Sequence, residues 1–276
     1  MHTKAELLDL LRTHKIHLHQ RRGQCYLIDP TMTRRLVASC GLTGADTVVE
    51  IGAGLGALTD ELAAAAKRVI AVEIDSGVAQ TLAGRVSHPD TIDVWNGDVL
   101  EFPWAEHAPV VVVGMIPYHI TSPILVNLCE HRAHLRDVWL GMQREVAQRL
   151  CAGPGTKAYG RLGLFVQYAF APDMKFTIPR TSFFPQPDVD STWVHLAPRA
   201  APPVAAADEP LLFDVIRAAF GQRRKMLANC LKEVETVRRR KLDPAGLLAA
   251  AKLPPRVRGE ELTLADFARL ADAIVR

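Results

Sequence analysis

The stretch that decides the fold is "TVVEIGAGLGALTDELAAAAK", Thr47 to Lys67. Its first five residues form an apolar run that stops at glycines, and from Ala57 onward apolar residues recur at helical spacing. A strand that passes through a glycine-rich turn into a helix opens a parallel α/β sheet. The pattern then repeats. "RVIAVEID" (68–75), "TIDVWNGD" (91–98), "PVVVVGM" (109–115) and "DVWLGMQ" (137–143) read as strands. "SGVAQTLAGRV" (76–86), "SPILVNLCEH" (122–131) and "REVAQRLCA" (144–152) read as helices. Continuous apolar strands alternating with helices imply a sheet covered on both faces. "MKFTIP" (174–179) and "STWVHLAP" (191–198) are two further strands, joined closely enough to be expected antiparallel. The proline- and alanine-rich "PRAAPPVAAADEP" (198–210) reads as a linker, and all that follows is helix-like. The expected organisation is a main domain over 1–199, opened by an amphipathic helix, and a small helical domain over 200–276.

With 276 residues and about half of them apolar, the chain can bury one full core and a small second one. No apolar run reaches the roughly 18 residues a membrane span needs, and the first residues lack a secretory h-region, so a cytoplasmic protein is expected. Five scattered cysteines (Cys25, Cys40, Cys129, Cys151, Cys230) fit a reducing compartment, and their spacing suggests no metal site. Net charge is only +3, yet "HQRR" (19–22), "GQRRK" (221–225) and "RRRK" (238–241) concentrate basic residues. Singly these read as solvated faces; together they suit RNA phosphates.

Gly52, Gly54 and Gly56 permit tight turning and close approach of backbone to a ligand. A glycine loop alone fits a dinucleotide enzyme equally well. Three neighbours favour another cofactor. Glu50 lies inside the strand, Glu73 ends the second strand where it can accept both hydroxyls of a ribose, and Asp98 ends the third where it can accept from an adenine amine. The pattern resembles the S-adenosylmethionine loop of class I methyltransferases, which implies a Rossmann-like seven-stranded sheet with an antiparallel last strand.

At the end of the fourth strand stands "MIPYHI" (115–120), beside the expected cofactor. Pro117 fixes the backbone so that neighbouring carbonyls can point into the pocket, and Tyr118 offers a face on which an extruded base can stack. An exocyclic adenine amine is a poor nucleophile because its lone pair is delocalised into the ring. Acceptors that hold the amine towards tetrahedral geometry free that lone pair.

From His19 to Leu231 the sequence resembles the small-subunit rRNA adenine N6,N6-dimethyltransferases, a family related to the erythromycin-resistance rRNA methyltransferases. The resemblance rests on "RRGQCYLID", "VVEIGAGLGALT", "MIPYHITSP", "MQREVAQRL", "GPGTKAYGRL", "FFPQPDVDS" and "FGQRRKML", in that order. It implies cofactor contacts from Gln24, Cys25, Leu27, Gly52, Gly54, Glu73, Ile74, Asp98, Val99 and Met115. It implies a reaction site of Met115, Ile116, Pro117, Tyr118 and Phe183, with the adenine held between Tyr118 and Phe183; the alternative for Phe183 is a core aromatic. Arg223, Arg224 and Lys225 match a basic helix that docks on rRNA. The implied partners are small-subunit rRNA and the pre-ribosomal small subunit, met by a monomer.

Two asparagines that the family pattern would place are absent: Cys25 and Met115 stand there. A thioether is a weak acceptor, so the main-chain carbonyls of Met115 and Ile116 would have to receive the amine. Two other readings therefore stay open: a methyltransferase of the same fold with a different acceptor, and a non-catalytic RNA-binding assembly factor.

Overall fold

The computed structural model describes residues 3–14, 16, 25–222 and 225–276. Nine strands are assigned among the described residues: β1 (Tyr26–Leu27), β2 (Thr47–Ile51), β3 (Arg68–Glu73), β4 (Ile92–Asn96), β5 (Val110–Met115), β6 (Leu135–Gln143), β7 (Phe170–Ile178), β8 (Phe183–Phe184) and β9 (Ser191–Pro198). Seven of them form one sheet in the order β4-β3-β2-β5-β6-β9-β7. β2 pairs parallel with β3 and β5, β3 with β4, and β5 with β6, whereas β9 runs antiparallel to β6. The last strand is thus the antiparallel one.

The apolar runs explain the burial. Val48, Val49, Val69 to Val72 and Val110 to Val113 are all buried, as residues on both faces must be when helices flank a parallel sheet. Each such valine or isoleucine contributes about 1.5–3 kcal/mol. The sheet reverses its winding between β2 and β5, and the carboxyl ends of the strands there form the crevice in which open α/β folds bind ligands.

A second, two-stranded sheet pairs β1 with β8, Tyr26 against Phe184 and Leu27 against Phe183. No period in the sequence marks a strand at either place, since each strand is only two residues long. Asp29 caps the helix Pro30–Ser39 through the N–H groups of Thr31 and Met32, and its other oxygen accepts from the Ser182 hydroxyl at 3.0 Å. The segment before β8 is thereby tied to the segment after β1.

The chain divides into two compact units, Met1–Ala147 with Pro172–Pro198, and Gln148–Ala171 with Arg199–Arg276. This differs from a single cut at 199/200, because Gln148–Ala171 groups with the later residues. The reason lies in "KAYGRL". Tyr159 is buried, its hydroxyl donates to the Leu262 carbonyl at 2.7 Å, and it belongs to the same apolar cluster as Leu212, Ile216, Leu231 and Phe267. The second unit is helical apart from the first residues of β7. Its longest helices are Glu209–Gly221 and Leu264–Val275, capped at their N-termini by Asp208 and Thr263.

Candidate functional site

One cleft of about 500 Å³ opens at the carboxyl ends of β2, β3 and β5, wholly within the first unit. Its floor is the loop after β2. Gly52, Gly54 and Gly56 all have positive φ (71°, 57° and 89°), the region that favours glycine. The N–H groups of Gly52 and Ala53 both donate to the Val72 carbonyl, which pins the loop to β3. A β-carbon on Gly54 would come within 3.1 Å of the Tyr26 ring, so the ring closes directly over the loop.

Glu73, at the end of β3, is mostly buried. One carboxylate oxygen accepts from Gly54 N–H at 2.9 Å and the other from Asp75 N–H at 3.0 Å. Burial raises its pKa, and these backbone bonds oppose the rise. Each oxygen keeps a further lone pair for a ligand hydroxyl. Asn96 aligns the neighbouring strand end, its amide donating to the carbonyls of Glu73 and Ile74 at 2.8 and 3.3 Å. Asp98 follows immediately. Its Oδ1 accepts from Leu100 N–H at 3.0 Å, and Oδ2 has no partner among the described residues. Ile74, 61% exposed, and Val99 line the cleft beside these two carboxylates.

Glu50 lies beneath the loop, 2% exposed, with Thr59 donating to its carboxyl at 2.6 Å. Burial pushes its pKa up to about 8; the Thr59 bond opposes this, while the charges of Glu73 and Asp60 add to it. At neutral pH it is largely the neutral acid.

The opposite wall comes from the end of β5. Met115, Ile116, Pro117, Tyr118 and Phe183 all line the same cleft, as do Cys25 and Leu27. The Tyr118 oxygen and the hydroxyl of fully buried Ser191 share a hydrogen bond of 2.8 Å, which fixes the ring. Phe183 is 4% exposed and belongs to an apolar core cluster as well as to the cleft wall. Burial, and then the charge of Asp188, raise the pKa of the half-buried Cys25 thiol, which stays protonated.

Thirteen of the expected cofactor and reaction residues therefore meet in one place. Gln24, Arg223 and Arg224 lie outside the described residues, as does the "HQRR" cluster. Lys225 is exposed in the second unit. In "RRRK", Arg240 is engaged by the end of the last helix, donating to the carbonyls of Ile274 and Val275 at 2.6 and 3.1 Å, and its neighbours Arg238, Arg239 and Lys241 are exposed. Tyr26, Asn96, Gly141 and Ser191 also shape the site. Tyr26, Asn96 and Ser191 lie inside the motifs "RRGQCYLID", "NGD" and "FFPQPDVDS", whereas Gly141 carries no local signal.

The cleft fits S-adenosylmethionine on its own evidence. It combines a loop whose glycines let a ligand approach the backbone, a strand-end carboxylate with spare acceptor capacity, and an aspartate with an unengaged oxygen.

Comparison with known proteins agrees. The family profile described as "Ribosomal RNA adenine dimethylase" matches residues 15–265. The ribosomal RNA small subunit methyltransferase A of Geobacillus thermodenitrificans is 39% identical, over 99% of this chain and 96% of its own. A dimethyladenosine transferase from Plasmodium falciparum superposes with a TM-score of 0.73 at 25% identity, covering 88% of this chain and 94% of that one. The 23S rRNA methyltransferase ErmE gives a TM-score of 0.68 at 26% identity, over 91% of this chain and all of its own. With strand order, cleft and full-length similarity in agreement, the chain belongs to the ribosomal RNA adenine dimethylase family.

Proposed function

We propose that this chain dimethylates N6 of adenine in small-subunit rRNA, and that the cleft at the β2–β5 reversal is where it does so. S-adenosylmethionine is the donor; when bound, it supplies an electrophilic methyl group on a sulfonium. The observation that carries the site assignment is the meeting of the Gly52–Gly54–Glu73–Asp98 end and the Met115–Tyr118–Phe183 end in one cavity.

In this reading Glu73 accepts the ribose hydroxyls, Asp98 accepts from the donor's adenine amine, and Ile74 and Val99 flank that ring. Leu27 and Cys25 cover the methionine end, and Gln24 is a further cofactor contact. The main-chain carbonyls of Met115 and Ile116 accept from the target amine, which holds its nitrogen lone pair towards the methyl group. Tyr118, held by Ser191, and Phe183 confine the target base between aromatic faces. No buried base is required, because the amine loses its proton readily once it is alkylated.

The second unit is assigned to rRNA docking, through Arg223, Arg224 and Lys225 with Arg238, Arg239 and Lys241 in support. Guanidinium forks suit phosphate oxygens. The chain would act as a monomer on the pre-ribosomal small subunit, in the cytoplasm. The scattered spacing of the five cysteines in the sequence, with no paired motif, supports that location.

Labelled methyl transfer tests the reading. Small subunits lacking dimethyladenosine are expected to take up label, and large subunits are expected to take up none. Label confined to large subunits would assign the chain a different rRNA.

A further inference from the structure

We propose that Met115 and Gly141 form one coupled unit that sets the wall of the base pocket: the thioether rests in a hollow left by the missing side chain of Gly141, and main-chain carbonyls take over the reception of the amine. The inference rests on the cleft being the methyl-transfer site, and it explains how that site tolerates methionine where the family pattern has a polar acceptor.

The two residues are register partners on β5 and β6. A β-carbon on Gly141 would stand 2.2 Å from Met115 Sδ and 2.3 Å from its Cε. The end of the thioether thus fills space that any other residue at 141 would claim. Trp193 bounds the same hollow, its Cε3 3.5 Å from that β-carbon position, and Met115 packs against the apolar cluster that contains Trp193. Sulfur beside an aromatic edge is a favourable contact. Gly141 is not among the positive-φ glycines, so the backbone does not require glycine there. The thioether does.

Seated on β6, the side chain leaves the carbonyl of position 115 as the polar group facing the cofactor loop. That oxygen lies 3.5 Å from the β-carbon position of Gly52. The peptide that follows is fixed, because Ile116 N–H donates to the Gly141 carbonyl at 3.1 Å. A side chain at 141 would strike only the far end of a flexible residue. The fold can therefore absorb it, and the displaced sulfur swings into the cleft that Met115 already lines.

The test is a double-mutant cycle of Gly141→Ala and Met115→Ala, read in single-turnover methyl transfer to undimethylated small subunits and in thermal midpoints. Gly141→Ala is expected to slow transfer at least about tenfold, as sub-ångström to ångström misplacement at a reacting centre does. It is also expected to lower the melting temperature by a few degrees, since the thioether loses its seat. In the Met115→Ala background the same change should cost neither, because nothing is left to displace. Equal effects of Gly141→Ala in both backgrounds would overturn the coupling. Should Gly141→Ala alone not fold, the double variant must fold and match Met115→Ala; its failure would place the glycine requirement elsewhere and overturn the proposal. A wild-type protein that transfers no methyl would break the reading of the site, and the midpoints would still decide the coupling.

Discussion

At the end of the cleft assigned above to the cofactor, the groups on offer come from backbone and carboxylates: the loop with Gly52 and Gly54, Glu73 bound by two N–H groups, and Asp98 with one oxygen unengaged. At the base end they come from side chains supported at a distance. Met115 is seated over Gly141, Tyr118 is held by Ser191, and Phe183 is placed by a two-residue strand pair. A backbone-built site tolerates little, because a β-carbon at a positive-φ position is strained whatever the space around it. A side-chain-built site can exchange one residue if its support changes too. The two departures from the family pattern, Cys25 and Met115, both touch the cleft wall, and neither lies in the glycine loop.

That contrast can be broken experimentally. Glu73→Ala should have the largest effect, lowering S-adenosylmethionine affinity about a hundredfold or more, since two charge-assisted hydrogen bonds are lost. Calorimetry showing unchanged affinity would remove the cofactor end from this cleft. Tyr118→Ala should slow methyl transfer about ten- to a hundredfold through lost stacking while leaving cofactor affinity intact. Tyr118→Phe keeps the ring and loses only the bond to Ser191, so a loss of a few-fold is expected. If both substitutions weakened cofactor binding equally, the two ends would not be separable.

The last expected effect is on stability and falls on Glu50. Its folded pKa of about 8 lies above the ordinary 4.5, so the folded state holds a proton that the unfolded chain has already released. The resulting stability is complete below pH 4.5 and is lost as the pH rises through 8. Glu50→Gln should therefore flatten the decline in melting temperature across that window, with the largest difference from wild type at its alkaline end. Parallel profiles for the two proteins would show that the carboxyl ionises normally.

The same contrast explains what the sequence could reveal. The glycine loop, Glu73 and Asp98 were legible because each acts within a few residues of its own strand end. The parallel sheet was legible from uninterrupted valine runs such as Val110 to Val113, which only a doubly covered strand tolerates. Tyr26, Gly141 and Ser191 were not, because each acts on a residue far away in the chain: Gly54, Met115 and Tyr118. The grouping of Gln148–Ala171 with the second unit was hidden for a related reason. It depends on Tyr159 reaching Leu262, and no local period encodes that contact.

The most direct test of the central claim, that main-chain carbonyls suffice where Met115 replaces a side-chain acceptor, is to identify the product. Undimethylated small subunits would be incubated with wild-type protein and labelled S-adenosylmethionine, and nuclease digests resolved by mass spectrometry. Label is expected in N6,N6-dimethyladenosine. Cofactor binding confirmed by calorimetry with no methylated adenine in the digest would contradict it.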